Sequence, residues 1–134
     1  MSGLLEGRRV LIVEDEMIVA WLISDMLEDL GCLVVGPAAS VTQALEVVAH
    51  EPLDAAVLDV NLNGERSYPV ADALTARCVP FLFSTGYDRS RLAEAYRDRP
   101  MLQKPYHHAE LREALTRMLA PRTEGRDTVS PFAA

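Results

Sequence analysis

Asp54-Ala55-Ala56-Val57-Leu58-Asp59-Val60-Asn61-Leu62-Asn63-Gly64 is the stretch whose reading decides the fold. Four apolar residues, Ala55 to Leu58, run directly into Asp59, and a glycine turn follows shortly after. A short continuous apolar run bounded in this way reads as a strand buried on both faces, of the kind found inside a parallel sheet. Asp59 then stands where the backbone leaves the sheet. In open α/β sheets that rim is where ligands bind. A carboxylate there is a metal ligand, a nucleophile or a cap for the next loop, and the rest of the chain decides between these.

Working outward, residues 10–13 form a second buried-type strand that ends at Glu14-Asp15-Glu16. Asp15 is placed to cap a helix over 17–30, with Val19, Leu22, Ile23, Met26 and Leu30 as its inward face. Gly31 stops it. A strand over 33–36 follows. Ser40 caps a helix to His50, and Pro52 marks its end. Beyond the central strand come a polar loop over 61–67, a helix over 68–77 and a strand over 80–83 that leads into Ser84-Thr85-Gly86. A short helix over 90–96 precedes a strand over 101–103, which ends at Lys104-Pro105. The last helix covers 108–119. Five strands alternating with five helices mean a doubly wound α/β domain: a five-stranded parallel sheet with right-handed crossovers and helices on both faces.

The chain has 134 residues, 49% apolar and 25% charged, which suits one domain with a single large core. Residues 1–7 read as a lead-in, 8–120 as the domain and 121–134 as a flexible tail. The net charge of −7 argues against a nucleic-acid-binding surface. Residues 1–9 lack the apolar region of a signal peptide, and no apolar run approaches the ~20 residues of a membrane helix. The expected location is cytoplasmic. Cys32 and Cys78 have no paired-motif spacing and read as small core residues in a reducing compartment.

Four of the five strands deliver a reactive or charged group to one rim: Glu14 and Asp15, Asp59, Thr85, and Lys104. Taken singly, each has an ordinary reading as a cap, a turn residue or a surface charge. Their convergence is what points to a site. Three carboxylates at close range are tolerable around a hard divalent cation such as Mg²⁺, which takes oxygen ligands and leaves room for phosphate oxygens. A lysine and a hydroxyl opposite would hold two more of those oxygens. The residue types therefore describe a phosphoryl acceptor, with Asp59 as the nucleophile.

With these residues in place the sequence resembles the response-regulator receiver domain of two-component signalling, over about residues 8–120. The motifs are the Glu14-Asp15 pair, Asp59, Thr85-Gly86 and Lys104-Pro105. The resemblance implies a flavodoxin-like sheet order 2-1-3-4-5. It implies Mg²⁺ held by Glu14, Asp15, Asp59 and the backbone carbonyl of Asn61, and a cis peptide before Pro105. It implies Asn61 and Tyr87 as residues tuning the lifetime of the aspartyl phosphate. It also implies a partner, a sensor histidine kinase or histidine phosphotransferase, that docks on the first helix. Phe83-Ser84-Thr85-Gly86-Tyr87 resembles the signature of the "FAT GUY" receivers, with Ser84 in place of the usual alanine. Those receivers are often single-domain proteins served by kinases of the HWE and related groups. The spacings from Asp59 to Thr85 and from Thr85 to Lys104 are shorter than usual. Met101 and Leu102 stand where receivers carry a switch aromatic.

Met17, Ile18 and Trp21, with Pro105 and Tyr106 across the rim, make a candidate partner surface. The other reading of Trp21 packs it over the last helix. His50, His107 and His108 read as surface or helix-start residues, and the run Arg89, Arg91, Arg97, Arg99 as a solvated face. The expected function is a stand-alone receiver that is phosphorylated rather than an enzyme and signals by protein–protein contact. One alternative is a receiver fold kept as an unphosphorylated binding module. Another is a small phosphatase of the haloacid-dehalogenase type, in which an aspartate would stand at position 61.

Overall fold

A computed structural model describes residues 3–86 and 92–120. In chain order the elements are β1 (Arg9–Val13), α1 (Met17–Asp29), β2 (Leu33–Ala38), α2 (Val41–His50), β3 (Ala55–Asp59), β4 (Asn61–Leu62), β5 (Glu65–Arg66), α3 (Tyr68–Ala76), β6 (Phe81–Thr85), a 3-10 turn (Glu94–Tyr96), β7 (Met101–Gln103) and α4 (His108–Leu119). The main sheet runs β2-β1-β3-β6-β7, and every pairing in it is parallel. Counting its five strands along the chain, the order is 2-1-3-4-5, as the resemblance implies.

Alternation along β3 divides the interior in two. Ala55 and Val57 face a layer of Ile23 and Leu27 from α1 with Leu111 and Leu115 from α4. Ala56 and Leu58 face Ala44 and Val48 from α2 with Val70 and Leu74 from α3. All five residues of β3 are buried, as are all five of β6, which explains their unbroken apolar runs.

Two helices end in the same way. In α1, Gly31 N–H bonds Glu28 O and Cys32 N–H bonds Leu27 O, with Gly31 at φ 89°. In α3, Cys78 N–H bonds Thr75 O and Val79 N–H bonds Leu74 O, with Cys78 at φ 60°. Each is a left-handed Schellman cap. Cys78 is therefore exposed rather than in the core, contrary to the sequence expectation, because the cap turns its side chain outward.

The predicted loop over 61–67 contains a hairpin, with Asn61 opposite Arg66 and Leu62 opposite Glu65. Asn63 and Gly64 at its tip both have positive φ, the backbone of the turn type that Asn-Gly favours. Buried Leu62 anchors it to the core. The predicted helix over 90–96 is, in its described part, only the 3-10 turn. Residues 90 and 91 lie outside the described residues, as do Tyr87, Arg89 and the tail 121–134. Leu22, expected inward, is exposed: α1 carries a wider apolar face than the sheet and α4 cover.

Candidate functional site: an acidic cleft at the strand ends

The parallel register sets the level of the site. Val13 pairs with Leu58, Asp59 with Ser84, and Thr85 with Gln103. The residues just after or at these positions, Glu14, Asp59, Thr85 and Lys104, therefore emerge together at one edge. Lys104 N–H bonds Thr85 O at 2.7 Å, which fixes the start of the β7–α4 turn beside the end of β6. The peptide between Lys104 and Pro105 is cis.

Lys104 Nζ lies 3.0 Å from Glu14 Oε1 and 3.5 Å from Asp59 Oδ2. Glu14 is 2% exposed and Asp59 8% exposed. Burial raises the Glu14 carboxyl from its ordinary 4.5 to about 7, against the opposing hydrogen bond from Lys104 and with help from the Asp59 charge. Burial likewise raises Asp59, with the Lys104 charge opposing. Burial acts to lower Lys104, but its hydrogen bond to Glu14 and the two carboxylate charges outweigh it, so the ammonium is held charged. Thr85 is 1% exposed at the end of β6.

Asp15 does not cap α1. The N-cap residue is Glu16, which makes no side-chain cap bond. Asp15 Oδ2 instead accepts Asn63 N–H at 3.0 Å and ties the hairpin tip across the cleft, and Glu14 Oε2 accepts Glu16 N–H at 3.1 Å. A bond between residues so far apart in sequence leaves no local signal. Asn61 lines the cleft, and its side-chain oxygen accepts Gly64 N–H at 2.9 Å, closing the hairpin. The cleft has a volume of about 360 Å³ and is lined by Asp15, Asp59, Asn61, Thr85 and Lys104 among others.

Oxygen atoms of Glu14, Asp15 and Asp59 all lie within 4.8 Å of one another, and among the described residues this is the one group of three or more His, Cys, Asp and Glu side chains so placed. The donors are all carboxylate oxygens, the set a hard divalent cation such as Mg²⁺ prefers, so the residues present fit that ion.

Sequence reasoning missed one residue that shapes the site. Ser67 is fully buried, and its hydroxyl donates to the backbone carbonyl of Asp59 at 2.6 Å. Its place just before Tyr68-Pro69 suggests a helix cap, yet it makes no side-chain cap bond. Met17, Ile18, Trp21 and Leu22 are all more than half exposed, so Trp21 does not pack over the last helix. Pro105 is exposed and Tyr106 half-buried. Among the described residues no helix is long and apolar enough to cross a membrane.

A doubly wound parallel sheet of order 2-1-3-4-5, with an acidic cluster and a lysine at its strand ends, defines an α/β protein of the receiver type. Residues 10–116 match the response regulator receiver domain family, and the chain belongs to that family. It is 29% identical over 112 residues to the transcriptional regulatory protein PdtaR of Mycobacterium tuberculosis, covering 81% of this chain and 55% of that protein. The chain thus spans about half the length of the curated relatives it matches. It is similar to the solution structure of SdrG from Sphingomonas melonis Fr1, with 45% identity, a TM-score of 0.76, and coverage of 84% of this chain and 97% of that one. It is also similar to the receiver domain of the sensor histidine kinase PA1611 from Pseudomonas aeruginosa, whose structure has magnesium coordinated in the active-site cleft. There the identity is 26%, the TM-score 0.72, and coverage 86% and 99%.

Proposed function

We propose that this protein is a phosphoacceptor in a two-component pathway, taking a phosphoryl group onto Asp59 from a phosphohistidine of a sensor histidine kinase or a histidine phosphotransferase. The observation that carries this reading is the Lys104 ammonium seated between the two most buried carboxylates of the acidic cleft, at 3.0 Å and 3.5 Å. An Asp59 oxygen attacks phosphorus, the bond from phosphorus to the donor nitrogen breaks, and the nitrogen keeps the electron pair. Lys104 exchanges a carboxylate partner for an oxygen of the transferred group, and the Thr85 hydroxyl holds another. Glu14, Asp15, Asp59 and the Asn61 carbonyl would hold Mg²⁺, which supplies charge neutralisation for the phosphoryl oxygens. SdrG has been solved in a BeF3-activated conformation, and that structure, 44% identical with a TM-score of 0.74, supports the same reading here.

Phe83-Ser84-Thr85-Gly86 supports membership of the FAT GUY subgroup and a kinase of the HWE type. Exposed Met17, Ile18 and Trp21 on α1, with Pro105 and Tyr106 at the rim, form the surface that meets the donor. Asn61 and Tyr87 tune how fast water reaches the phosphate. The face made by the 3-10 turn, β7 and α4 carries the signal onward through contact with another protein. Incubation with acetyl phosphate and Mg²⁺, followed by intact mass, tests the reading. One added phosphoryl group in the wild type and none in Asp59→Asn supports it, and an unmodified wild type refutes it.

A further inference from the structure

The β7–α4 turn is held from both sides of Lys104 by two successive residues of β6. On the near side, Lys104 N–H bonds the Thr85 carbonyl at 2.7 Å. On the far side, the Tyr106 hydroxyl meets the Ser84 hydroxyl at 3.1 Å. Ser84 is fully buried and faces the opposite side of the sheet from Thr85. It is the register partner of Asp59 on one side and of Leu102 on the other. The Tyr106 ring packs against the α1–α4 core layer. With Lys104 and Pro105 it also lines an apolar cleft of about 160 Å³ against Val19, Leu22, Ile23 and Met26. Lys104 and Tyr106 thus line the same apolar cleft, while the Lys104 ammonium reaches Glu14 and Asp59.

We propose that Tyr106 is a positioning residue for Lys104, fixed in place by its hydroxyl bond to Ser84. This inference rests on the phosphoacceptor reading of Asp59. Alanine and phenylalanine would fill the same space with no polar group to desolvate, so the two hydroxyls are not needed for packing volume. What their bond adds is a fixed rotation of the ring and a fixed backbone just past Lys104. Phosphoryl transfer depends on such placement, since an ammonium displaced by about 1 Å from a developing charge costs on the order of tenfold or more in rate.

The experiment compares the wild type with Ser84→Ala, Tyr106→Phe and the double variant. It measures urea stability, Mg²⁺ affinity by calorimetry, and the rate of phosphorylation by acetyl phosphate. Each single change strands one buried hydroxyl and lowers stability, and the double change removes both and restores it. The proposal expects all three variants, the stable double variant included, to react roughly tenfold slower at saturating acetyl phosphate. The half-saturating concentration and the Mg²⁺ affinity stay at wild-type values. A double variant that reacts at the wild-type rate overturns the proposal, because the hydroxyls then serve only each other. A parallel loss of Mg²⁺ affinity overturns it as well, because the defect then lies in the acidic cluster. If the wild type itself takes no phosphoryl group, the phosphoacceptor reading fails and this inference falls with it. Slow variants beside a normal wild type separate the two cases.

Discussion

Replacing Glu14 by glutamine is expected to stabilise the metal-free protein, by an amount that depends on pH. Glu14 is 2% exposed, and its carboxyl is raised by burial from 4.5 to about 7 in the folded chain. Between those values the unfolded chain releases the Glu14 proton while the folded chain keeps it. The unfolded state then binds fewer protons, so this group makes stability fall as pH rises through the window and level off above about 7. At roughly 1.36 kcal/mol for each tenfold separation, the cost above the window is about 3 kcal/mol. Glutamine keeps the shape of the protonated acid and, like it, offers one carbonyl oxygen where the carboxylate offers two, so it keeps one of the bonds that Lys104 Nζ makes to Oε1 and the Glu16 N–H makes to Oε2, and it does not titrate. Urea unfolding in EDTA near pH 4.5 and near pH 8 measures the effect. Glu14→Gln minus wild type should be within about 0.5 kcal/mol at the lower pH and about 3 kcal/mol at the higher. A difference that stays flat across that range, or wild type gaining on the variant as pH rises, would refute the reasoning.

The two Schellman caps predict opposite signs for exchanges of glycine. Cys78→Gly relieves a left-handed residue and should raise stability by about 1 kcal/mol, whereas Gly31→Ala, at φ 89° with Glu6 crowding the added carbon, should lower it by about 1 kcal/mol or more; urea midpoints check both. Native-state alkylation followed by peptide mapping should label exposed Cys78 and spare Cys32, which is buried with its thiol pushed up by that burial. Labelling of Cys32 at the same rate would place it outside the core. Trp21→Ala should accept phosphate from acetyl phosphate normally but from its kinase at least about tenfold more slowly. Normal transfer from the kinase would remove α1 from the docking surface.

The framework was legible because buried parallel strands write themselves as unbroken apolar runs. Val10 to Val13, Ala55 to Leu58 and Phe81 to Phe83 all sit where their pattern puts them. Gly31 announced the end of α1 because glycine is the usual occupant of a left-handed cap. Cys78 holds the same cap in α3 without that signature, so its outward side chain was illegible. The Asn63-Gly64 pair carried a hairpin signal, but two-residue strands are too short to show alternation. Asp15 looked like a cap because capping is local, whereas its actual bond crosses to Asn63 on another loop. Leu22 fits the inward stripe of α1, and only the packed sheet and α4 reveal that the stripe is wider than its cover. The rim residues converged on one cleft because strand ends in a parallel sheet share a level. Ser67 under the Asp59 carbonyl escaped notice, and so did the bond that joins Ser84 to Tyr106, since hydroxyl bonds between separate elements leave no spacing in a sequence.

Asp59, as proposed, is an acceptor held ready between a lysine and an acidic, Mg²⁺-fitting cluster. The most direct measurement is intact mass, with peptide mapping, after incubation with acetyl phosphate and Mg²⁺. A single labile phosphoryl group mapped to Asp59 is expected, lost in Asp59→Asn and after EDTA treatment, and formed much more slowly in Lys104→Met. A phosphoryl group on any other residue, or none on the folded wild-type protein, would contradict it.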